Sequence, residues 1–143
     1  MPARIYPVLE TPIPGLPADP AVGFALARVV EAHPILAQLL DFCAVDPLQI
    51  AVEVGMVYPY EEGGLEDLDD LEFEPMEWFE PVAGLAAVER AIAAVRDTPE
   101  SLAAAIYDPG LRPADVLADL EAIQALLQAA LQHETRFHFV QMG

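Results

Sequence analysis

Clustered carboxylates are the residues of this chain whose type and spacing could do chemistry. Between Glu61 and Glu80, ten of twenty residues are Asp or Glu and none is Lys or Arg. Such a cluster could bind a divalent cation, supply a general acid or base, or attract a basic protein. The deficit of positive charge is wider than the cluster, because residues 29–89 hold fifteen carboxylates and no Lys or Arg.

Calcium binding is the most specific chemistry that this cluster could perform, and the spacing does not favour it. A calcium loop of the EF-hand type needs ligands at its first, third and fifth positions and a central glycine. The run 66–72 lacks both features, and its Leu68 and Leu71 are typical of residues that anchor a loop to a core. The sequence therefore predicts a solvated loop and no metal site.

Two histidines near the C-terminus resemble a zinc-binding helix only superficially. The zinc motif places two His residues four positions apart on one helical face. His133 and His138 are five positions apart, which separates them by about 140° around an ideal helix. We predict instead that His133 caps the C-terminal end of a helix and that His138 is a half-exposed strand residue.

Nucleophilic or acid–base catalysis is not indicated either. Cys43 follows Phe42 in an apolar stretch, whereas a reactive thiol needs a low pKa and a neighbouring base, so we predict a buried, inert thiol. Glu53 lies in a mostly apolar predicted strand and is the best candidate for a raised carboxyl pKa, although an outward-facing position is favoured. The sequence predicts no catalytic residue, and it contains no glycine-rich phosphate loop that would predict a cofactor.

The elements that must position the acidic cluster begin with a proline-rich arm. The first twenty residues hold six prolines, which predicts an extended arm over residues 1–18 with a short edge strand near residues 4–9. Asp19-Pro20 is typical of a helix start, and the residue before Pro34 is typical of a helix end. A second short helix is predicted from Pro34 towards Cys43.

The middle of the chain changes to the alternation that is typical of strands. Apolar residues recur at every second position over residues 48–60, and a second strand is predicted around residues 71–79. The residues between them include Gly63-Gly64 and most of the carboxylates. The pattern predicts an acidic hairpin or loop over residues 61–80.

The second half of the chain is predicted to be helical until its last residues. Apolar positions at helical spacing mark one face of a helix that ends near Asp97. Pro99 and Pro113 are typical first helical residues and predict two further helices, the second being the longest. Alternating Phe and His over residues 136–142 predicts a C-terminal strand. Arg136, at its start, is predicted to pair with a carboxylate across the sheet.

Together these elements predict an α+β fold in a single domain over residues 1–143. We expect a small, mostly antiparallel sheet of three or four strands with about five helices packed largely on one face, because the strand patterns are apolar on one side only.

Composition limits the classes of partner. The formal charge is −18 on 143 residues, and 55% of the residues are apolar. This apolar content is too high for a disordered chain, and the charge opposes binding to nucleic acids and anionic membranes. No apolar run reaches the about 20 residues that span a bilayer, and no signal peptide is recognisable. The single cysteine favours the reducing cytoplasm.

The preferred interpretation is a non-enzymatic acidic module that docks a basic protein, in the manner of immunity proteins or other inhibitors. Aromatic residues inside a ring of carboxylates are typical of such surfaces. The candidate partner-binding residues are Tyr60, Glu61, Glu62, Glu66, Asp67, Asp69, Asp70, Glu72, Glu74 and Trp78. A solubility or salt-adaptation origin of the charge is the competing explanation.

Two alternative functions belong to other classes. One is a self-associating structural protein, a homodimer formed through an edge strand or the apolar helix of residues 113–134. The other is a small-molecule-binding protein or enzyme whose site forms only in the fold, from Glu53, Tyr107, Arg136 and His138.

Overall fold

The computed structural model describes residues 3–17, 20–44, 77–105 and 110–142. The chain divides into two units, one of Met1–Cys43 with Trp78–Gly143 and one of Ala44–Glu77. Nearly all of the second unit lies outside the described residues, and the described helices and strands all belong to the first. The prediction of a single domain over residues 1–143 stays a prediction.

The described residues form a mixed α+β structure, which confirms the predicted class. They contain five α-helices, one 3₁₀ helix and a two-stranded antiparallel sheet. In chain order the elements are β1 (Arg4–Leu9), α1 (Phe24–Ala27), α2 (Pro34–Ala37), the 3₁₀ helix (Gln38–Phe42), α3 (Pro81–Asp97), α4 (Pro99–Ala105), α5 (Pro113–Gln132) and β2 (Phe137–Met142).

The sheet pairs β1 with β2, the strands predicted near residues 4–9 and 136–142, whose pairing the sequence did not predict. Its register runs from Arg4 opposite Met142 to Leu9 opposite Phe137. Alternate residues of a strand turn their N–H groups to opposite sides, and the Ile5 N–H bonds outward to the Gly23 carbonyl at 3.2 Å. Pro7 has the same orientation as Ile5, so its missing N–H removes no bond to β2.

The two faces of the sheet are both covered, but by different residues. Ile5, Phe137 and Phe139 share one face and are fully buried, which makes it the core face. His138 points to the opposite face and is only 2% exposed. The prediction that His138 is half-exposed is therefore wrong, since the indole of Trp78 lies over its imidazole.

The first helix begins four residues later than predicted. Pro20 is not helical, and α1 starts at Phe24 after Gly23, whose φ of 90° is left-handed. A Cβ on residue 23 would stand 1.7 Å from the Ile5 carbonyl oxygen. Only glycine therefore lets the chain pass β1 this closely and turn into the helix.

The following segment is a series of short turns of helix. His33 is the N-cap of α2, and Pro34 is its first residue, as predicted. The α-helix gives way to the tighter 3₁₀ form at Gln38, and this ends at Phe42. Leu36 and Leu39 are fully buried in this segment, so packing rather than helix length stabilises it.

The long helices agree best with the sequence patterns. Helix α3 ends at Asp97, α4 begins at Pro99 and α5 begins at Pro113, each as predicted. Helices α3 and α5 pack against each other, and α5 also contacts α1 and β1. The core shared by these elements includes Leu26, Val30, Val88, Ala91, Val116, Leu120, Ile123 and Leu127, all fully buried.

The predicted strand at residues 48–60 lies outside the described residues, and so does most of the one at residues 71–79. Its last residue, Phe79, forms an antiparallel bridge with Phe137. In the described part of the chain, no helix combines the length and apolarity that a membrane span would need.

Candidate functional site

The predicted partner-binding surface falls almost entirely outside the described residues. Trp78 alone is described, and the other nine are Tyr60, Glu61, Glu62, Glu66, Asp67, Asp69, Asp70, Glu72 and Glu74. These nine belong to Ala44–Glu77, the acidic segment. The structure describes the residues on either side of the acidic segment, which belong to the first unit.

The side chain of Trp78 packs partly against the sheet. Its indole stacks on the imidazole of His138, with ring centroids 4.1 Å apart and planes inclined by 24°. Trp78 is half-buried, while the His138 beneath it is buried. Stacking of this kind holds an aromatic ring at low entropic cost, so Trp78 stands in a defined position directly after the acidic segment.

Four phenylalanines of the first unit pack against one another and form the phenylalanine cluster: Phe42, Phe79, Phe137 and Phe139. Phe42 meets Phe79 edge-to-face at 5.3 Å and stacks on Phe137 at 5.8 Å. Phe137 and Phe139 meet edge-to-face at 5.2 Å. Offset and edge-to-face contacts are the favourable geometries for aromatic pairs.

Three of the six arginines form ion pairs with carboxylates of the described residues. Arg136 donates two hydrogen bonds to Glu10, from Nε at 2.9 Å and from Nη2 at 2.6 Å, which confirms the predicted pair across the sheet. This bonding and the charge of Glu10 raise the pKa of Arg136. Arg96 binds Glu121 at 2.8 Å, and Arg112 lies 3.8 Å from Asp115.

Several carboxylates of the described residues have no such cation. All are exposed on the surface, and none forms an ion pair with another described residue; they are Glu31, Asp41, Glu80, Glu89, Asp97, Glu100 and Glu134. The first unit is thus acidic on its surface even before the carboxylates of the acidic segment are counted.

His33 and Ser101 approach each other but do not form a catalytic pair. The Nε2 atom of His33 lies 3.3 Å from the Ser101 hydroxyl, and Nδ1 accepts the Ile35 N–H at 3.3 Å. Because Nδ1 accepts, the neutral ring carries its proton on Nε2 and donates to Ser101. It cannot also take the serine proton there, so His33 ties α2 to α4 instead of activating a nucleophile.

Cys43 is poorly suited to nucleophilic attack. It lies at the end of the 3₁₀ helix and is half-buried. Burial raises the pKa of its thiol from 9.0 to about 11. Since the thiolate is the reactive form, Cys43 is protonated and unreactive at neutral pH.

A cluster of metal ligands is not apparent in the described part of the chain. No three of its His, Cys, Asp and Glu residues come together as metal ligands would. His133 is the C-cap of α5, as predicted. One apolar pocket of about 90 Å³ lies between the proline-rich arm and α5, lined by Leu9, Pro12, Ile13, Leu16 and Leu126 among others, and it offers no charged group to orient a ligand.

Sequence reasoning missed a carboxylate that organises the N-terminal half. Asp119 lies on α5, where the helical pattern predicts an outward position. Its Oδ2 instead accepts the N–H groups of Ala25 and Leu26 at 2.9 and 3.0 Å. Gly23, the N-cap of α1, has no side chain to accept them. A glycine at the N-cap has no side chain to accept the first N–H groups of the helix. It is therefore the signal that a residue distant in the sequence must accept them.

No family model, no curated protein and no solved structure matches this chain, so its function has to be argued from its own residues.

Proposed function

We propose that this protein is a non-enzymatic, acidic docking module that binds a basic protein, as an inhibitor or immunity protein does. The observation that carries the proposal is the distribution of charge. The acidic segment holds eleven carboxylates and no Lys or Arg, while all six arginines belong to the first unit. Three of those arginines are already engaged by carboxylates of their own unit.

A surface of this kind mainly affects the rate at which the protein associates with its partner. A coherent negative potential steers a basic partner towards the surface and raises the association rate when the salt concentration is low. Aromatic residues then supply the contact energy at the centre of an interface. Trp78, held against His138 at the end of the acidic segment, has the position of such an anchor.

The test compares the full chain with a neutral variant in which Glu61, Glu62, Glu66, Asp67, Asp69, Asp70, Glu72 and Glu74 become Gln or Asn. A control variant neutralises Glu31, Glu89 and Glu100, which are exposed on the first unit. Affinity capture at low ionic strength should yield a basic protein that binds the full chain and the control but not the neutral variant. Titration should show its affinity falling steeply with salt, because the Debye length shrinks to about 3 Å at 1 M.

The opposite results would overturn the proposal. These are capture of no basic protein at low ionic strength, or equal binding of a captured protein by the neutral variant.

Homodimer formation is less well supported by the same structure. The outer edge of β1 offers few free donors, since the Ile5 N–H is bonded to Gly23 and Pro7 has none. The apolar face of α5 is buried inside its own unit at Val116, Leu120 and Ile123. Sedimentation over a range of concentrations should therefore show no increase in mass.

A small-molecule site likewise has little support. Glu53 and Tyr107 lie outside the described residues, and Arg136 is bound to Glu10. For the finer architecture we keep the predicted sheet of three or four strands and a cytoplasmic location as parts of the proposal. The hydrogen bonds between Phe79 and Phe137, at 2.7 and 3.0 Å, support a further strand beside β2.

A further inference from the structure

The Phe24 pocket, which has both apolar and charged walls, lies between α1 and the start of α5. Its volume is about 430 Å³, within the range of about 300–1,000 Å³ that is typical of small-molecule sites. Phe24, Ala25 and Leu111 form apolar parts of its lining, and Arg28 and Asp115 add one charge of each sign. All of the lining belongs to the described part of the first unit. The Phe24 pocket therefore has the charged groups that the pocket beside the proline-rich arm lacks.

The carboxylate of this lining already accepts hydrogen bonds from the protein. The Oδ2 atom of Asp115 accepts the Arg112 N–H at 3.1 Å and lies 3.8 Å from the Nε atom of Arg112. Asp119, one turn further along α5, accepts the two N–H groups at the start of α1. Both carboxylates are therefore used by the fold itself, and a ligand has to be recognised mainly by the other groups of the lining.

Arg28 supplies the positive charge of the lining. It is exposed and forms the C-cap of α1, four residues after Phe24, so the two side chains lie on the same face of the helix. A guanidinium group has five N–H donors in a planar fork and binds a carboxylate through two of them. Arg28 can therefore hold a contact with the protein and a carboxylate ligand at the same time.

Phe24 supplies an aromatic wall that a second arginine holds in place. The guanidinium carbon of Arg4 lies 3.8 Å from the ring centroid of Tyr6 and 5.7 Å from that of Phe24. The Nη1 atom of Arg4 also donates to the Pro20 carbonyl at 3.0 Å. Cations within about 6 Å of a ring centroid are attracted to the ring. Phe24 is thus fixed although 37% of it is exposed, and it presents a defined apolar surface to the pocket.

We propose that the Phe24 pocket binds a small aryl carboxylate. The carboxylate accepts hydrogen bonds from Arg28, and the aromatic ring of the ligand packs against Phe24 in an offset or edge-to-face contact. The charge of −18 on the chain opposes polyanions most strongly. At physiological ionic strength this repulsion is screened beyond a Debye length of about 8 Å, so a single carboxylate in contact with Arg28 interacts mainly with that side chain. The site shares no residue with the small-molecule site considered above and does not involve the acidic segment.

The test titrates the full chain with hydrocinnamate, a phenyl ring joined to a carboxylate by a short chain, and follows amide chemical shifts by NMR at physiological ionic strength. We expect a dissociation constant of about 1 mM or below and the largest shifts at Ala25 and Leu111, which line the pocket. The primary amide of hydrocinnamate keeps the ring and loses the charge. It should bind about tenfold more weakly or worse, because hydrogen bonds between charged groups are the strong ones.

Three full-length variants assign the binding to its residues. Arg28→Gln should weaken the binding of hydrocinnamate about tenfold or more and leave the binding of the amide unchanged. Phe24→Leu should weaken the binding of both ligands about three- to tenfold, since both lose one aromatic contact. Arg90→Gln is the matched control, because Arg90 is an exposed arginine of α3 that does not line the pocket, and it should change neither affinity. Circular dichroism checks that each variant is folded.

Three results would overturn the proposal. The first is the absence of a saturable shift change up to about 10 mM hydrocinnamate, and the second is equal affinity for hydrocinnamate and its amide. The third is equal weakening by Arg90→Gln and Arg28→Gln, which would mean that net charge rather than Arg28 determines the binding of the anion. No basic protein takes part in this titration, so failure of the pocket and failure of the proposed function are distinguishable.

Discussion

The N-terminal region of the described structure, residues 3–44, and the C-terminal region, residues 77–142, form helices by different means. Helices α1 and α2 have four residues each, and the free N–H groups of α1 are accepted by Asp119 from the other region. Helices α3 and α5 have 17 and 20 residues, and each begins with its own proline. Helix α1 depends on a distant residue for its cap, whereas α3 and α5 carry their start signals locally.

This difference has a consequence for stability. Isolated helices shorter than about 12–15 residues are marginal in water, so α1 and α2 need the surface of α3 and α5 to form. Loss of a contact between the two regions should therefore cost more than loss of a comparable contact within the C-terminal region. Four predictions probe the two regions and the contacts between them, in order of decreasing effect.

The largest effect is expected for Gly23→Ala. The new Cβ would collide with the Ile5 carbonyl, and φ at this position is 90°. Strain and overpacking together should lower the free energy of unfolding by about 3 kcal/mol or more in urea titration. Gly15→Ala is the matched control, since φ is 88° but no atom lies within 4 Å, and it should cost about 1 kcal/mol. Equal losses of unfolding free energy for the two variants would refute the role of the close approach of Gly23 to Ile5.

The second prediction concerns Cys43, the last residue of the N-terminal region in the first unit. Its thiol pKa is raised from 9.0 to about 11 by burial, so the protonated thiol favours the folded state. This contribution is fully present below about pH 9 and is lost as the pH rises through about 11. Iodoacetamide should alkylate the native protein about a hundredfold more slowly than the urea-unfolded protein at neutral pH. Similar alkylation rates for the native and the unfolded protein would show that the N-terminal region does not shield Cys43.

The third prediction compares two carboxylates of α5. Asp119→Ala removes the cap of α1 and should cost about 1–2 kcal/mol in the free energy of unfolding. Asp115→Ala removes local contacts, the bond to the Arg112 N–H at 3.1 Å and the exposed pair with the Arg112 side chain at 3.8 Å, and should cost about 0.5–1 kcal/mol. Both lie in the same helix, so their helix propensities cancel. A larger loss of unfolding free energy for Asp115→Ala than for Asp119→Ala would contradict the proposal that the N-terminal region depends on contacts with the C-terminal region.

The smallest effect is expected for the exposed pair of Arg136 and Glu10. Water and salt screen such pairs, so they contribute little even when they join two regions. Arg136→Gln and Glu10→Gln should each lower the melting temperature slightly, and the double variant should do no more than either one. The loss should disappear at high salt. A large loss that persists in salt would mean that the pair has a packing role.

Much of the C-terminal region could be predicted, because its signals are local. Pro99 and Pro113 each begin the helix expected of them, and the alternation after Arg136 is that of β2. The start of α1 was missed, since Asp19-Pro20 is as good a local signal as the others. The close packing of Gly23 on β1 sets the start of α1 at a later residue. No residue near Asp19 in the sequence indicates this packing.

The candidate site was predictable only as a charge pattern. Counting carboxylates locates the acidic segment, but the meeting of Phe42 and Phe79 on β2 depends on residues 58 or more positions away in the chain. The burial of His138 was missed for a related reason. Period-2 alternation assigns His138 to a face of the sheet but cannot say that Trp78 covers that face.

The sequence by itself determined the α+β class, the long helices and the excess of negative charge, because these follow from composition and from spacing within a few residues. The tertiary structure alone decided that Asp119 caps α1, that only glycine fits at position 23 and that Cys43 and Phe79, on either side of the acidic segment, both bridge to β2. The physical reason is the range of the interactions. Helix and strand periodicity act between near neighbours, whereas a cap or an aromatic contact across the core requires two distant segments to be in place first.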